Sequence, residues 1–91
     1  MKTLAQLKAE MLANPATKAE YDALADAFDM ARELIAARSR AGLTQADVAQ
    51  RMGTTQGVIA RLEGGKRHPP MRTVQRYAQA CGARAVVRLE M

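Results

Sequence analysis

The sequence predicts an all-α domain preceded by a helical arm and followed by a short C-terminal β-strand. Three observations carry that expectation. Apolar residues recur at three- and four-residue spacing from Leu4 to Cys81, and glycines and capping residues punctuate the chain between Gly42 and Gly65. After Gly82 the apolar period changes to two. The chain divides accordingly into an arm over residues 1–27, a helical domain over 28–83 and a terminal strand over 84–91.

Leu4, Leu7 and Met11 stand at i, i+3, i+7, which predicts a short amphipathic helix over about Thr3 to Ala13. Asn14-Pro15 interrupts it, because proline disfavours helix at the residue before it yet suits the first position of a new helix, with Asn14 as the cap. From Ala16 to Ala41 there is no Gly or Pro, and Tyr21, Leu24, Phe28, Ala31 and Ile35 mark one stripe. This is either one long helix or two meeting near Ala27, with Met30, Leu34 and Ile35 packing beneath the paired helices that lie beyond Gly42.

Gly42 can take the left-handed conformation that ends a helix, with Leu43 covering its last turn. Thr44 and Asp47 form a capping-box pattern for a helix over about Gln45 to Met52, whose Val48, Ala49 and Met52 share one face. Gly53 stops that helix, and Thr55 caps the next, in which Ile59 and Leu62 point inward while Gln56, Gly57, Ala60 and Arg61 point out. Two short helices about a glycine turn are how a chain lays one helix in the major groove of DNA and braces it with another. Gln and Arg read adenine and guanine edges bidentately, so DNA is the first partner to consider.

Gly64-Gly65-Lys66-Arg67-His68-Pro69-Pro70 reads as a loop rich in breakers and charge. The helix expected from Met71 to Cys81 turns Met71, Val74, Tyr77, Ala78 and Cys81 inward and closes at Gly82. Beyond it Ala85, Val87, Leu89 and Met91 alternate with Val86, Arg88 and Glu90. A lone strand has open edges and needs a partner, and the simplest source is the same segment of a second copy, through Val87, Leu89 and Met91. The alternative is a frayed tail.

Charge and composition narrow the classes. The net charge is +5, and residues 41–91 hold eight basic and three acidic residues while residues 1–40 hold six of each. The whole excess sits with the paired helices, as a phosphate-neutralising surface requires. Three aromatics and no Trp leave a core of Leu, Ile, Val, Met and Ala, and thin helical cores often gain stability by dimerising. Cys81 is the single cysteine, which excludes an internal disulfide and suits a small buried hydrophobe. His68 has no companion at metal-ligand spacing, so no metal is expected, and no cofactor either. The lone His and lone Cys are far apart, and neither a phosphate-cradling glycine loop nor a carboxylate pair in an evident cleft accompanies them, so an enzyme is not expected. With no apolar run long enough to cross a membrane and no leader pattern, the expectation is a cytoplasmic protein.

The run Gly42-Leu43-Thr44-Gln45 through Met52-Gly53, Thr55-Gln56 and Ile59-Ala60-Arg61-Leu62-Glu63-Gly64-Gly65-Lys66-Arg67 resembles the Cro/C1-type (XRE) helix-turn-helix domains of phage and bacterial repressors, over about Met30 to Gly82. The resemblance implies a lambda-repressor-like fold. It also implies that Gln45 holds a DNA phosphate, with Thr44 and Thr55 beside it, that Gln56, Gly57 and Arg61 face bases, and that Lys66 and Arg67 grip the backbone. Position 57 often carries a side chain in that family; Gly57 either permits close backbone approach or reads no base.

The layout of the whole chain, a Leu-rich helix and Asn14-Pro15-Ala16-Thr17-Lys18-Ala19-Glu20-Tyr21 before the domain and Tyr77 to Leu89 closing it, is similar to helix-turn-helix antitoxins of the HigA type. That similarity implies a bacterial protein that silences a RelE-fold (HigB-like) ribonuclease toxin and represses its own operon as a homodimer on a palindromic operator, associated there with the nucleoid. The alternative is a free-standing repressor without a toxin. Leu4, Leu7, Met11, Tyr21 and Leu24 are the candidate toxin contacts, since the arm carries more apolar surface than a flanking segment requires. Equally, these residues could cover the domain's own core.

Overall fold

The computed structural model describes residues 3–91, and the side chains of Met11 and Leu12 also lie outside what it describes. Its five helices are, in chain order, α1 (Leu4–Ala13), α2 (Pro15–Arg40), α3 (Gln45–Met52), α4 (Gln56–Leu62) and α5 (Met71–Ala80). Thr3 and Gln6 cap α1 reciprocally, each side chain accepting from the other's backbone N–H at 3.1 and 3.0 Å. Asn14 then caps α2, its Oδ1 accepting from the N–H groups of Ala16 and Thr17, with Pro15 in the first turn where its missing N–H costs nothing. The stretch that could have been two helices is one, running through residue 27 without a break. Every described side chain of α1 is exposed.

The core lies among α2, α3, α4 and α5. Leu34, Val48, Ala49, Met52, Ile59, Val74 and Tyr77 are buried together, and Met30, Leu43, Leu62, Ala80, Cys81 and Ala85 pack against them. Tyr77 is the one aromatic inside; Tyr21 and Phe28 are exposed. Gly53 ends α3 at φ 69°, and Thr54 N–H and Gly53 N–H donate back to the carbonyls of Ala49 and Gln50. This left-handed closure turns the chain sharply into α4, and a residue with a Cβ would resist it.

Three expectations are corrected. Residues 83–91 form no strand, and none exists among the described residues. A strand needs another strand for its N–H and C=O groups, and this single chain offers none. Instead Ala83 closes α5 through a bond to Ala78, Ala85 packs on the core, and Val86, Val87, Leu89 and Met91 are exposed. Met71 is also exposed: it opens α5 just after Pro70, and only the later turns descend onto the core. Cys81 is half-buried rather than inside, and that burial pushes its thiol above the usual range.

Candidate nucleic-acid interface

The N-termini of α3 and α4 meet at the surface and set the candidate interface. Thr44 and Asp47 form the expected capping box, with Thr44 Oγ1 accepting from Asp47 N–H at 3.1 Å and Asp47 Oδ2 accepting from Thr44 N–H at 2.9 Å. The bond from Thr44 N–H foremost, and the Thr44 hydroxyl beside the carboxylate after it, hold the Asp47 carboxyl below its usual value. Thr55 Oγ1 caps α4 through Val58 N–H at 3.4 Å. Both threonine hydroxyls therefore already accept from backbone, although both residues remain exposed.

Gln45 and Gln56 are brought together: Gln56 Nε2 approaches Gln45 Oε1 at 3.5 Å. Gln45 in turn donates from Nε2 to Glu63 Oε1 at 3.2 Å. Glu63, at the end of α4, is the hub of a network that sequence spacing did not reveal. Arg38 of α2 grips it with two parallel bonds, Nε to Oε2 at 2.9 Å and Nη2 to Oε1 at 2.8 Å, while Nη1 reaches the Leu43 carbonyl at 3.1 Å. Tyr77 of α5 donates its hydroxyl to Glu63 Oε2 at 2.7 Å. The carboxylate side chain is only 4% exposed, so desolvation opposes its ionisation, but Arg38, Tyr77 and Gln45 outweigh that and hold it below its usual value. Burial and the bond to Glu63 push the Tyr77 phenol well above its own usual range. A continuous chain of polar contacts thus runs from the buried ion pair through Gln45 to Gln56, fixing where the first side chain of α4 sits.

Along the exposed side of α4 lie Gln56, Gly57, Ala60 and Arg61. An added Cβ at Gly57 would meet nothing nearer than Thr55 Oγ1 at 3.9 Å, so this part of the helix presents bare backbone to solvent. Arg61 Nε lies 3.4 Å from the Gly57 carbonyl, so the guanidinium folds back over that gap. Past α4, Gly65 passes close to α2: a Cβ there would sit 3.2 Å from Phe28 Cα, and its φ is +72°. This crossing delivers Lys66 and Arg67, both exposed and without an ion pair among the described residues. His68 is exposed, its Nδ1 3.2 Å from the Pro69 carbonyl, and no group of metal-ligating side chains occurs among the described residues.

Not all the basic residues of this half serve that face. Arg51 donates to the Ala80 carbonyl at 2.8 Å and Arg76 to the Met52 carbonyl at 2.7 Å, so α3 and α5 cap each other's C-terminal ends. Cations suit those carbonyls, whose partial charge is negative. Both lie at the opposite end of α3 from Thr44 and Gln45. Sequence spacing held no signal for the Arg38–Glu63 pair, 25 residues apart, although a buried tyrosine such as Tyr77 ordinarily has a hydrogen-bond partner.

Of the remaining sequence candidates, Leu4, Leu7, Tyr21 and Leu24 are exposed on α1 and α2, and the Met11 side chain lies outside those described. Val87, Leu89 and Met91 are exposed on the tail. No helix among the described residues is long and apolar enough to cross a membrane.

Residues 29–91 match the model of a family described as a helix-turn-helix domain. The chain is also 36% identical over 79 residues to proteins named antitoxin HigA1 from two Mycobacterium tuberculosis strains, CDC 1551 / Oshkosh and ATCC 25618 / H37Rv. That alignment takes in 87% of this chain and 53% of the relatives, so the chain spans about half the length of the curated relatives it matches. No solved structure matches significantly.

Proposed function

The chain belongs to the helix-turn-helix domain family, and on that premise we propose that it is a DNA-binding antitoxin that represses its own operon. The observation that carries this reading is the exposed side of α4, flanked by Gln45 and by the unpaired cations Lys66 and Arg67, with Gln56 oriented from behind by the Glu63 network. Gln56 and Arg61 read base edges, each worth on the order of 1–3 kcal/mol of discrimination. Gly57 lets the helix backbone approach the groove closely. Thr44, Gln45, Thr55, Lys66 and Arg67 hold phosphates and set the register. To reach a base, Arg61 exchanges its long contact with the Gly57 carbonyl for DNA.

Two copies engage a palindromic operator, one α4 per half-site, with half-sites roughly 34 Å apart. The exposed Val87, Leu89 and Met91 supply the dimer contact, since a second copy covers apolar surface that the tail leaves open in the single chain. The arm, with Leu4, Leu7, Tyr21 and Leu24 exposed, takes a RelE-fold ribonuclease toxin, which fits the likeness to proteins named as antitoxins.

Co-expression tests the proposal. The open reading frame adjoining this gene is induced with and without the chain, and the pair is purified through one tag. Growth arrest relieved by the chain, with co-purification, is the expected result. A harmless neighbour that does not co-purify overturns the antitoxin reading and leaves a free-standing repressor.

A further inference from the structure

Between α2, α5 and the tail the surface opens into a groove of about 380 Å³. Met30 and Ala37 of α2 and Met71 and Val74 of α5 line two of its sides, and the tail from Ala83 to Val87 forms the third. Leu89 and Met91, just beyond, do not reach it and are almost wholly exposed. Neither Gly nor Pro follows Gly82, so the tail lacks the residues suited to a tight reversal that would fold these two side chains back into their own groove. A cavity of about 150 Å³ takes one benzene-sized group, so a groove of this size takes roughly two apolar side chains. Charge marks its rim. Glu33 and Arg40 stand on one side of α2, two turns or roughly 10 Å apart, and Arg84 stands on the tail. All three line the groove without an ion-pair partner among the described residues.

We propose that the tail of a second copy of this chain fills the groove, its Leu89 and Met91 entering between α2 and α5. Side chains alternate along an extended segment, so the second copy's Arg88 and Glu90 then turn to the rim. There Glu90 meets Arg40 and Arg84, and Arg88 meets Glu33, opposite charges in each case. The inference rests on the dimer contact proposed above and deepens it: the tails exchange into grooves instead of meeting each other. Within one chain Arg88 pairs with Glu90 at 3.2 Å, but the two side chains are 83% and 77% exposed, so that pair is worth little and gives way. Each copy offers one groove and one tail, so the exchange is reciprocal and closes as a two-fold dimer. No residue of α3 or α4 lines the groove, and a filled groove therefore leaves the candidate DNA interface open.

Sedimentation equilibrium of the full chain, at low and at physiological salt, tests the exchange. Three variants are compared with wild type: Leu89→Asp, the double change Arg40→Glu with Arg84→Glu, and that double change combined with Glu90→Arg. All four positions are exposed, so unchanged helical content confirms that each variant is folded. The exchange predicts a wild-type dimer and at least tenfold weaker association for Leu89→Asp. It also predicts severalfold weaker association for the double change at low salt, recovered when Glu90→Arg is added. Association that Leu89→Asp or the double change leaves intact, or that Glu90→Arg fails to recover, overturns the exchange while leaving a dimer standing. A wild-type chain that stays monomeric at every concentration overturns the dimer contact, and the exchange with it.

Discussion

Replacing Gly57 with alanine should move stability and DNA binding in opposite directions. The position is helical, its φ lies outside the left-handed region, and the new methyl would find no protein atom closer than 3.9 Å. The fold thus gains the helix preference of alanine over glycine at no steric cost, on the order of 0.5–1 kcal/mol. For a domain of this size that raises the midpoint of thermal unfolding by about 2–8 °C. If the backbone of α4 approaches base edges at Gly57, the same methyl occupies space the DNA needs, and operator affinity falls at least tenfold, about 1.4 kcal/mol. Circular dichroism melts and fluorescence anisotropy on promoter DNA measure the two quantities on one preparation. A stabilised variant with undiminished affinity would refute the close approach; a destabilised one would refute the local geometry of α4.

Other perturbations separate the roles of the charged residues. Arg61→Ala should relax specificity at one base position, whereas Lys66→Ala should weaken every sequence alike and flatten the salt dependence of log K by about 0.9; titration of operator variants at several salt concentrations distinguishes them. Arg76→Ala should destabilise the fold by about 1 kcal/mol, through loss of the charged bond to Met52, and leave the salt dependence of DNA binding untouched. Glu63→Gln leaves the Arg38 guanidinium, 19% exposed, without its counter-charge and should cost about 3 kcal/mol in urea unfolding. The same variant has a pH signature. The folded Glu63 carboxyl titrates below its ordinary value of 4.5, so its stabilisation is complete above that value and drains away as the pH falls through the folded one. The gap between wild type and Glu63→Gln should therefore narrow in acid, and a gap constant from pH 7 to pH 3 would contradict the network.

Most of the fold was legible because its signals are local. Asn14-Pro15, Thr44 with Asp47, Gly53 and Thr55 each act on backbone groups within a few residues, so their chemistry fixes helix ends whatever lies beyond. The pairing of Gln45 with Glu63, and of Glu63 with Arg38 and Tyr77, depends on how α2, α4 and α5 cross, which no spacing rule supplies. Charge counting erred for the same reason: Arg51 and Arg76 look like candidates for the phosphate surface until the helix ends they cap are seen side by side. Alternation in the tail is a property of the sequence, but a strand is a property of two segments, and one chain holds only one of them. The apolar stripe of α2 is visible in the sequence; that Phe28 meets Gly65 and still stays exposed depends on how the loop after α4 crosses α2, which no spacing rule supplies.

Titration of the purified chain against the DNA upstream of its own gene, with Arg61→Ala and a scrambled fragment as controls, tests the central claim most directly. The expected result is saturable binding to the upstream fragment at physiological salt, at least a thousandfold tighter than to the scrambled one, with that preference reduced in the variant. Equal affinity for both fragments, or a preference that survives Arg61→Ala intact at every base position, would contradict the assignment of α4 as the helix that reads DNA.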